Sequence, residues 1–324
     1  MSEDFVVVLS MLASTLRVAT PLVLAALAGL FAERSGVVDI ALEGKMLGAA
    51  FAAAATAAVT GSAWLGLGAG MLASLALAMI HAVACVTYNG NQVVSGMALN
   101  ILVAGLAPTL GHAWFGQGGQ TPQLTGAARF GSLRLPLAES LREVPILGPL
   151  HAIVVSGHNL LVYVAVAIVP LSAWVIYRTR FGLRLRAAGE NPHALDTAGV
   201  SVAAIRYRAM VICGLLCGIA GSYLSTAHSA AFVRDMTAGK GYLALAALIF
   251  GKWRPLPALF ACLLFAFADA VQARLQGVSL PLVGQVPVQA IQALPYVLTV
   301  LLLAGFVGRA VAPKASGIPF VKDR

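Results

Sequence analysis

Long apolar segments follow one another along this chain, with short polar turns between them. A helix of about 20 residues spans the hydrocarbon core of a bilayer. Segments of that kind lie at about 18–32, 46–60, 64–83, 93–112, 158–177, 201–227, 256–273 and 288–307. A further apolar segment at about 242–251 is too short to span alone. The pattern predicts an all-α integral membrane protein with about nine (8–10) crossings, one of them a broken or re-entrant helix.

Composition supports a membrane protein and excludes a soluble domain. The 324 residues are 60% hydrophobic and 10% charged, and the mean hydropathy is +0.89. Soluble domains are nearer 45–50% apolar and about 25% charged. The net charge of +9 is not a nucleic-acid signal, because the arginines lie in loops and at the ends of spans. We expect a single transmembrane domain over 1–324 that contacts lipid and no nucleic acid.

Basic residues predict the orientation in the membrane. The loop 178–208 carries six arginines between two apolar segments, which is typical of a cytoplasmic loop. The stretch 113–157, rich in Gly, Pro and Gln, has only a slight basic excess. We place it on the extracytoplasmic side, either as a surface for an external partner or as a connecting loop.

The cytoplasmic loop contains a short helix of its own. Asn191 is a suitable N-cap residue, Pro192 follows at the first helical position, and Gly199 can end the helix. The pattern predicts about two helical turns that face the cytosol, where a motor protein can contact them.

Charged residues lie close to the predicted spans over 33–45, a stretch with three carboxylates and two glycines. One interpretation is a short polar loop at the membrane face. The other is an irregular backbone segment that lines the pathway or supports a cytoplasmic gate, since such backbone is tolerated only inside protein or beside water. Asp39 and Glu43 are the candidate residues.

Other polar residues fall inside or beside the spans. Asn100 makes either an interhelical hydrogen bond or a solute contact. Asn89 and Asn91, in the uncharged turn before its span, are further candidates for the pathway or gate. Asp269 lies near a span end, with Arg274 just over one turn later. Asp269 either pairs with Arg274 at the surface or makes a contact in the pore. Apart from Asp269, we expect no carboxylate deep in a span with a clear partner.

Enzymatic and metal motifs are missing from the sequence. Gly44-Lys45 precedes Met46, so no phosphate-binding loop forms, and neither the histidines nor the cysteines have metal-ligand spacing. The four cysteines are expected to be small buried hydrophobic residues. The scarcity of intramembrane carboxylates argues against the alternative of a stand-alone secondary transporter and favours an external motor.

Four stretches carry a resemblance to a known family. They are Thr15–Gly44, which includes LFAERSGVVDIALEG, then FGLRLRAAGENPHALDTAGV at 181–200, GKGYLALAALIFGKW at 239–253 and LPYVLT at 294–299. The chain resembles permease subunits of bacterial ABC importers of the branched-chain amino acid and ribose type, and especially the nucleoside and simple-sugar subgroup. It departs from that subgroup at Asp39, usually Asn, at Ala41, often Gly, and at Lys45, usually Met.

The resemblance implies a type II-like permease in the bacterial cytoplasmic (inner) membrane that imports nucleosides or simple sugars. It implies three partners: a second related permease, an ATPase subunit with two nucleotide-binding cassettes, and an extracytoplasmic substrate-binding protein. ATP and Mg²⁺ would bind the ATPase, with no cofactor and no catalytic residue in this chain. The residues implied to couple to the ATPase are Gly182, Arg186, Gly189, Glu190, Asn191, Pro192, Ala194, Ala198 and Gly199.

Overall fold

The chain folds into a bundle of helices in a computed structural model, which describes residues 3–135, 147–275, 279–280, 284–285, 293, 297, 300 and 310–322. The main helices are α1 (Glu3–Arg34), α2 (Leu42–Thr60), α3 (Ala63–Ala82), α4 (Gln92–Phe115), α5 (Leu160–Arg178), α6 (Arg180–Glu190), α7 (Pro192–Thr197), α8 (Val202–Tyr223), α9 (Lys240–Phe250) and α10 (Pro255–Leu275).

Short elements extend or connect these helices. Helices α3 and α8 continue into single π-helical turns. The short elements are the π-turns Val83–Thr87, Leu224–His228 and His151–Val155, the helical turns Gly126–Ala128 and Leu147–Leu150, and the antiparallel strands β1 (Ser279–Leu280) and β2 (Gly284–Gln285).

Seven helices among the described residues are long and apolar enough to cross a membrane, namely α1 to α5, α8 and α10. This confirms seven of the predicted spans. Helix α1 is continuous from Glu3 to Arg34, so it extends well before the predicted first span. Helix α9 has 11 residues, too few to cross alone. The predicted span at 288–307 lies outside the described residues.

Small residues allow the central helices to approach closely. A Cβ atom added at Gly218 of α8 would lie 2.5 Å from the Cα of Met71, and one at Gly221 would lie 2.1 Å from the carbonyl oxygen of Met46. On α3, a Cβ at Gly66 would lie 2.7 Å from the carbonyl oxygen of Ala53. Because lipid offers no hydrophobic drive for association, such backbone contacts and van der Waals packing hold the helices together.

The segment between α1 and α2 runs into the bundle instead of across its face. Arg206 Nε donates to the Ser35 carbonyl (3.2 Å), and Cys213 Sγ donates to Asp39 Oδ2 (3.0 Å). Arg206 and Cys213 are seven positions apart on α8, which corresponds to about 10 Å along the axis. The segment between α1 and α2 therefore runs along α8 as irregular backbone. The interpretation as a polar loop at the membrane face is wrong, and the irregular segment is confirmed.

The C-terminal stretch 310–322 packs against the end of the bundle that carries α6. Ala315 N donates to the Gly189 carbonyl (2.8 Å), and Gly317 N donates to the Gly36 carbonyl (3.1 Å). The basic tail, the arginine-rich loop and the end of α1 therefore share one end of the molecule, in line with the charge pattern of the sequence.

Candidate coupling surface and solute pathway

Helix α7 has the cap structure that the sequence predicts. Asn191 Oδ1 accepts a hydrogen bond from Ala194 N (3.1 Å), with Pro192 at the first helical position. At the other end Gly199 has φ +76°, and the amide of Val200 donates to the Leu195 carbonyl (3.2 Å). A left-handed glycine with this backward bond is a common helix ending. The predicted helix is confirmed as a six-residue element.

Helix α6, which precedes α7, is fixed by close backbone packing. A Cβ at Gly182 would lie 2.1 Å from the Val175 carbonyl oxygen, and one at Gly189 would lie 2.4 Å from the Arg34 carbonyl oxygen. The guanidinium of Arg186 lies 5.5 Å from the centre of the Tyr177 ring, a cation–π contact. These three candidate residues hold α6 against the bundle.

The other candidate coupling residues lie on a free surface of the molecule. Only Leu195 of α7 is buried, and it joins the main hydrophobic core. The exposed candidates are Glu190, Asn191, Ala194, Ala198 and Gly199, while Pro192 is half-buried. The predicted residues thus divide into a packed base and an exposed tip. This arrangement can transmit a rigid displacement from the tip to the spans.

A buried cluster of ionisable groups lies beside the irregular segment. Asp39 and Lys45 form an ion pair, and both side chains are fully buried. Asp39 also accepts from Cys213 Sγ, and His81 Nε2 lies 4.0 Å from Asp39 Oδ1. His81 is itself held by the Val38 carbonyl (3.1 Å).

This cluster gives the segment between α1 and α2 charged partners inside the bundle, which the sequence pattern did not predict. The two charged departures from the subgroup pattern, Asp39 and Lys45, pair with each other. The pairing was missed because the two residues are six positions apart across a helix start, not at helical spacing. Both oxygens of Asp39 accept hydrogen bonds within the protein, and its side chain is fully buried.

Glu43 and Asn100 join three parts of the bundle. Glu43 accepts from Gly239 N (2.8 Å) and Gly241 N (2.6 Å), so it binds the amino-terminal end of α9, where a carboxylate is favourable. Asn100 Oδ1 accepts from Gly44 N (2.8 Å), and its Nδ2 donates to the Ile40 carbonyl and to Tyr242 Oη. The interpretation of Asn100 as an interhelical hydrogen-bonding residue is confirmed.

A cavity of about 240 Å³ opens beside these residues, between α2, α4 and α9. We call it the α9 groove. It is lined by Glu43, Gly44, Leu47, Met97, Asn100, Ile101, Ala104, Asp235, Thr237, Gly239 and Tyr242. The sequence pointed to Glu43 and Asn100 but not to Thr237 or Tyr242, because their proximity depends on how α9 packs.

The remaining pathway candidates lie elsewhere. Asn91 caps α4 by accepting from Val93 N and Val94 N, and Asn89 is an exposed turn residue with φ +52°. Asp269 lines a second cavity, of about 440 Å³, with Arg17. Arg274, its expected partner, donates to Ser10 Oγ. The candidates therefore do not form one site.

Comparison with known proteins identifies relatives over almost the whole chain. Residues 11–309 match the model of the family described as branched-chain amino acid transport system / permease component. The chain is 38% identical, over 99% of both sequences, to the guanosine ABC transporter permease protein NupQ of Bacillus subtilis. It is 35% identical, over 96% of both sequences, to the nucleoside ABC transporter permease protein NupC of Lactococcus lactis.

A third relative carries a different substrate name. The putative glucose ABC transporter permease protein TsgC13 of Haloferax volcanii is 36% identical over 87% of this chain and 82% of its own length. No solved structure matches the chain.

Proposed function

The chain belongs to the branched-chain amino acid transport system permease family, and from this premise we propose that it carries nucleosides into the cell. It is a permease subunit of an ABC transporter complex in the cytoplasmic (inner) membrane, and a transport component, not an enzyme. The observation that carries the nucleoside proposal is the similarity to two nucleoside permeases along nearly the full chain. The glucose relative supports simple sugars as the second candidate substrate class.

The proposed complex contains three further components: a second related permease, an ATPase with two cassettes that bind ATP and Mg²⁺, and an extracytoplasmic binding protein. The exposed tip of α7 is the proposed contact with the ATPase. Its support is geometric, because α7 is capped at both ends and follows a helix that packs backbone to backbone on α5 and α1. Movement of the cassettes would then shift the spans as a unit and open the pathway alternately to the two sides of the membrane.

The number of crossings is proposed to be nine, with α9 as the inner half of a broken crossing. His228 ends the π-turn after α8, far from the start of that helix. Trp253, just after α9, accepts from Arg34 through its carbonyl (2.7 Å) at the opposite end of the bundle. The chain between them passes from one end to the other, and the apolar stretch 288–307 supplies the ninth crossing.

The experiment is uptake of labelled guanosine in cells that express the complete set of subunits. We expect uptake that requires ATP and that disappears when the ATPase subunit is omitted. Uptake by this chain alone in energised vesicles would instead support a secondary transporter. Glucose in place of guanosine, with its own binding protein, tests the second substrate class.

A further inference from the structure

The α9 groove lies near the middle of the bilayer. Asn100 is eight positions after the start of α4 at Gln92, which corresponds to about 12 Å along the helix. Tyr242 is eight positions before the end of α9 at Phe250, again about 12 Å. Gln92 and Phe250 both lie at the end of the bundle that carries α6. The groove is therefore close to half of the roughly 30 Å hydrocarbon thickness.

Polar groups in an open groove at this depth cannot face lipid without a large cost. The exposed residues of the groove include Asp235 and Tyr242, the latter 41% exposed. A second protein surface with water between the two removes this cost. The cavity of about 240 Å³ is also below the roughly 300–1,000 Å³ of complete ligand sites. Both facts indicate half of a site that a second permease completes.

The hydrogen bonds of the groove separate residues that build it from residues that are free to bind. Both oxygens of Glu43 accept backbone amides, and Asn100 uses its donors and its acceptor within the protein. Tyr242 Oη accepts from Asn100 Nδ2 (2.8 Å). Its own hydroxyl proton has no acceptor among the described residues. Thr237 Oγ1 has no hydrogen-bond partner in the described structure but is fully buried, so Tyr242 supplies the accessible donor of the groove.

Apolar surface flanks these two hydroxyl groups. The side chains of Met97 and Ile101 are 40% and 69% exposed on the groove side of α4. With the half-exposed ring of Tyr242 they form an apolar wall beside the Tyr242 hydroxyl. Such a wall suits a planar heterocycle that carries hydrogen-bond acceptors, since every base has a π-face for stacking.

We propose that the α9 groove is one half of the solute site in the pathway, and that it binds the base of a nucleoside. Tyr242 stacks on the base and donates its hydroxyl proton to the nucleoside. Glu43 and Asn100 are positioning residues that hold α9 and the Tyr242 hydroxyl in place. This inference rests on the proposed nucleoside transport and names the contacts that such transport uses.

The first test asks whether water reaches the α9 groove in the assembled transporter. The four native cysteines of this chain are buried, so a water-soluble thiol reagent labels only the introduced cysteine of the chain. Ile101→Cys in the complete transporter should react with a hydrophilic, charged thiol reagent, and guanosine should protect it. The control is Leu171→Cys on α5, which is 54% exposed on an apolar helix face and should not react. An unreactive Cys at position 101, in vesicles that take up guanosine, overturns the inference.

The second test measures binding by this protection. Tyr242→Ala in the Ile101→Cys background should raise the guanosine concentration for half-protection about tenfold, the size of a lost base–aromatic contact. Tyr242→Phe should raise it several-fold by loss of one hydroxyl. Tyr88→Phe, at an exposed tyrosine in the turn after α3, is the matched control and should change nothing.

The two tests separate this inference from the proposed function. Unchanged half-protection in both Tyr242 variants overturns the inference while guanosine uptake stands. Absence of ATP-dependent guanosine uptake in the unaltered transporter overturns the nucleoside function itself. If the Tyr242→Ala chain fails to assemble, Tyr242→Phe decides, since it removes only one hydroxyl.

Discussion

Asp39 and Lys45 illustrate how much a single residue pair matters inside the bundle. Each charge is fully buried, and each is the main partner of the other. A buried ion pair adds little over an apolar pair of similar volume, but removal of one partner leaves an unpaired charge away from water. The stability of this region therefore depends on the pair being kept or replaced as a whole.

A double-mutant cycle tests this dependence. Asp39→Asn alone and Lys45→Met alone should each destabilise the protein by about 3–5 kcal/mol, because each leaves a buried charge unpaired. The double variant, which restores the usual residues of the resembled subgroup, should recover most of that loss. Thermal denaturation of the purified protein in detergent measures the cycle. Additive losses in the double variant would contradict the pairing.

Gly182 makes a second residue-level prediction. Gly182→Ala places a methyl group where the carbonyl oxygens of Val175 and Ile176 lie, so α6 must move away from α5. We expect a melting temperature lower by several degrees, as for other overpacked sites. Gly68→Ala in α3 is the matched control, because no atom lies within 4 Å of that added methyl group. It should be neutral or slightly stabilising.

At the scale of elements, helices whose cap residues are recognisable in the local sequence could be predicted. Asn191, Pro192 and Gly199 predicted both ends of α7. The α9 groove could not be predicted. It depends on Glu43 meeting residues almost 200 positions away, and no local pattern carries that information.

The stretch before α5 gives an element-scale prediction about pH. His158 is buried, and its Nε2 lies 2.9 Å from the Val154 carbonyl. Burial, with a smaller contribution from the positive charge of Arg17, lowers the pKa of His158 below its ordinary value of 6.5. The unfolded chain therefore binds a proton that the folded chain does not, so this contribution to stability is present above pH 6.5 and declines below it.

His158→Gln should flatten that dependence, because glutamine keeps a donor for the Val154 carbonyl and does not titrate. The measurement is the melting temperature in detergent between pH 7.5 and 5.5 for both proteins. The expected result is a smaller drop on acidification in the variant. An equal drop in both would show that other groups determine the acid sensitivity.

At the scale of the whole molecule, hydropathy and basic residues predicted the membrane class and seven spans correctly. They left two interpretations open for the segment that follows α1, because its charges fit a surface loop as well as an irregular segment with partners inside the bundle. A buried ion pair and a surface pair have the same composition, so only three-dimensional packing distinguishes them. The coupling and pathway roles of the candidate residues stay predictions.

The central claim is that α7 transmits ATP-driven motion to a nucleoside pathway. The most direct measurement is the number of guanosine molecules imported per ATP hydrolysed in proteoliposomes that contain the complete transporter. Gly199→Val forces a β-branched residue into φ +76°, which costs at least 1–2 kcal/mol and distorts the end of α7. Gly61→Val is the control, with φ +68° at the end of α2 and equally open surroundings.

We expect Gly199→Val to retain ATP hydrolysis while import per ATP falls about tenfold, the factor that corresponds to 1.4 kcal/mol. Gly61→Val should keep the unaltered ratio. A normal ratio of import to hydrolysis in Gly199→Val, in a complex that assembles fully, would contradict the role of α7 in coupling.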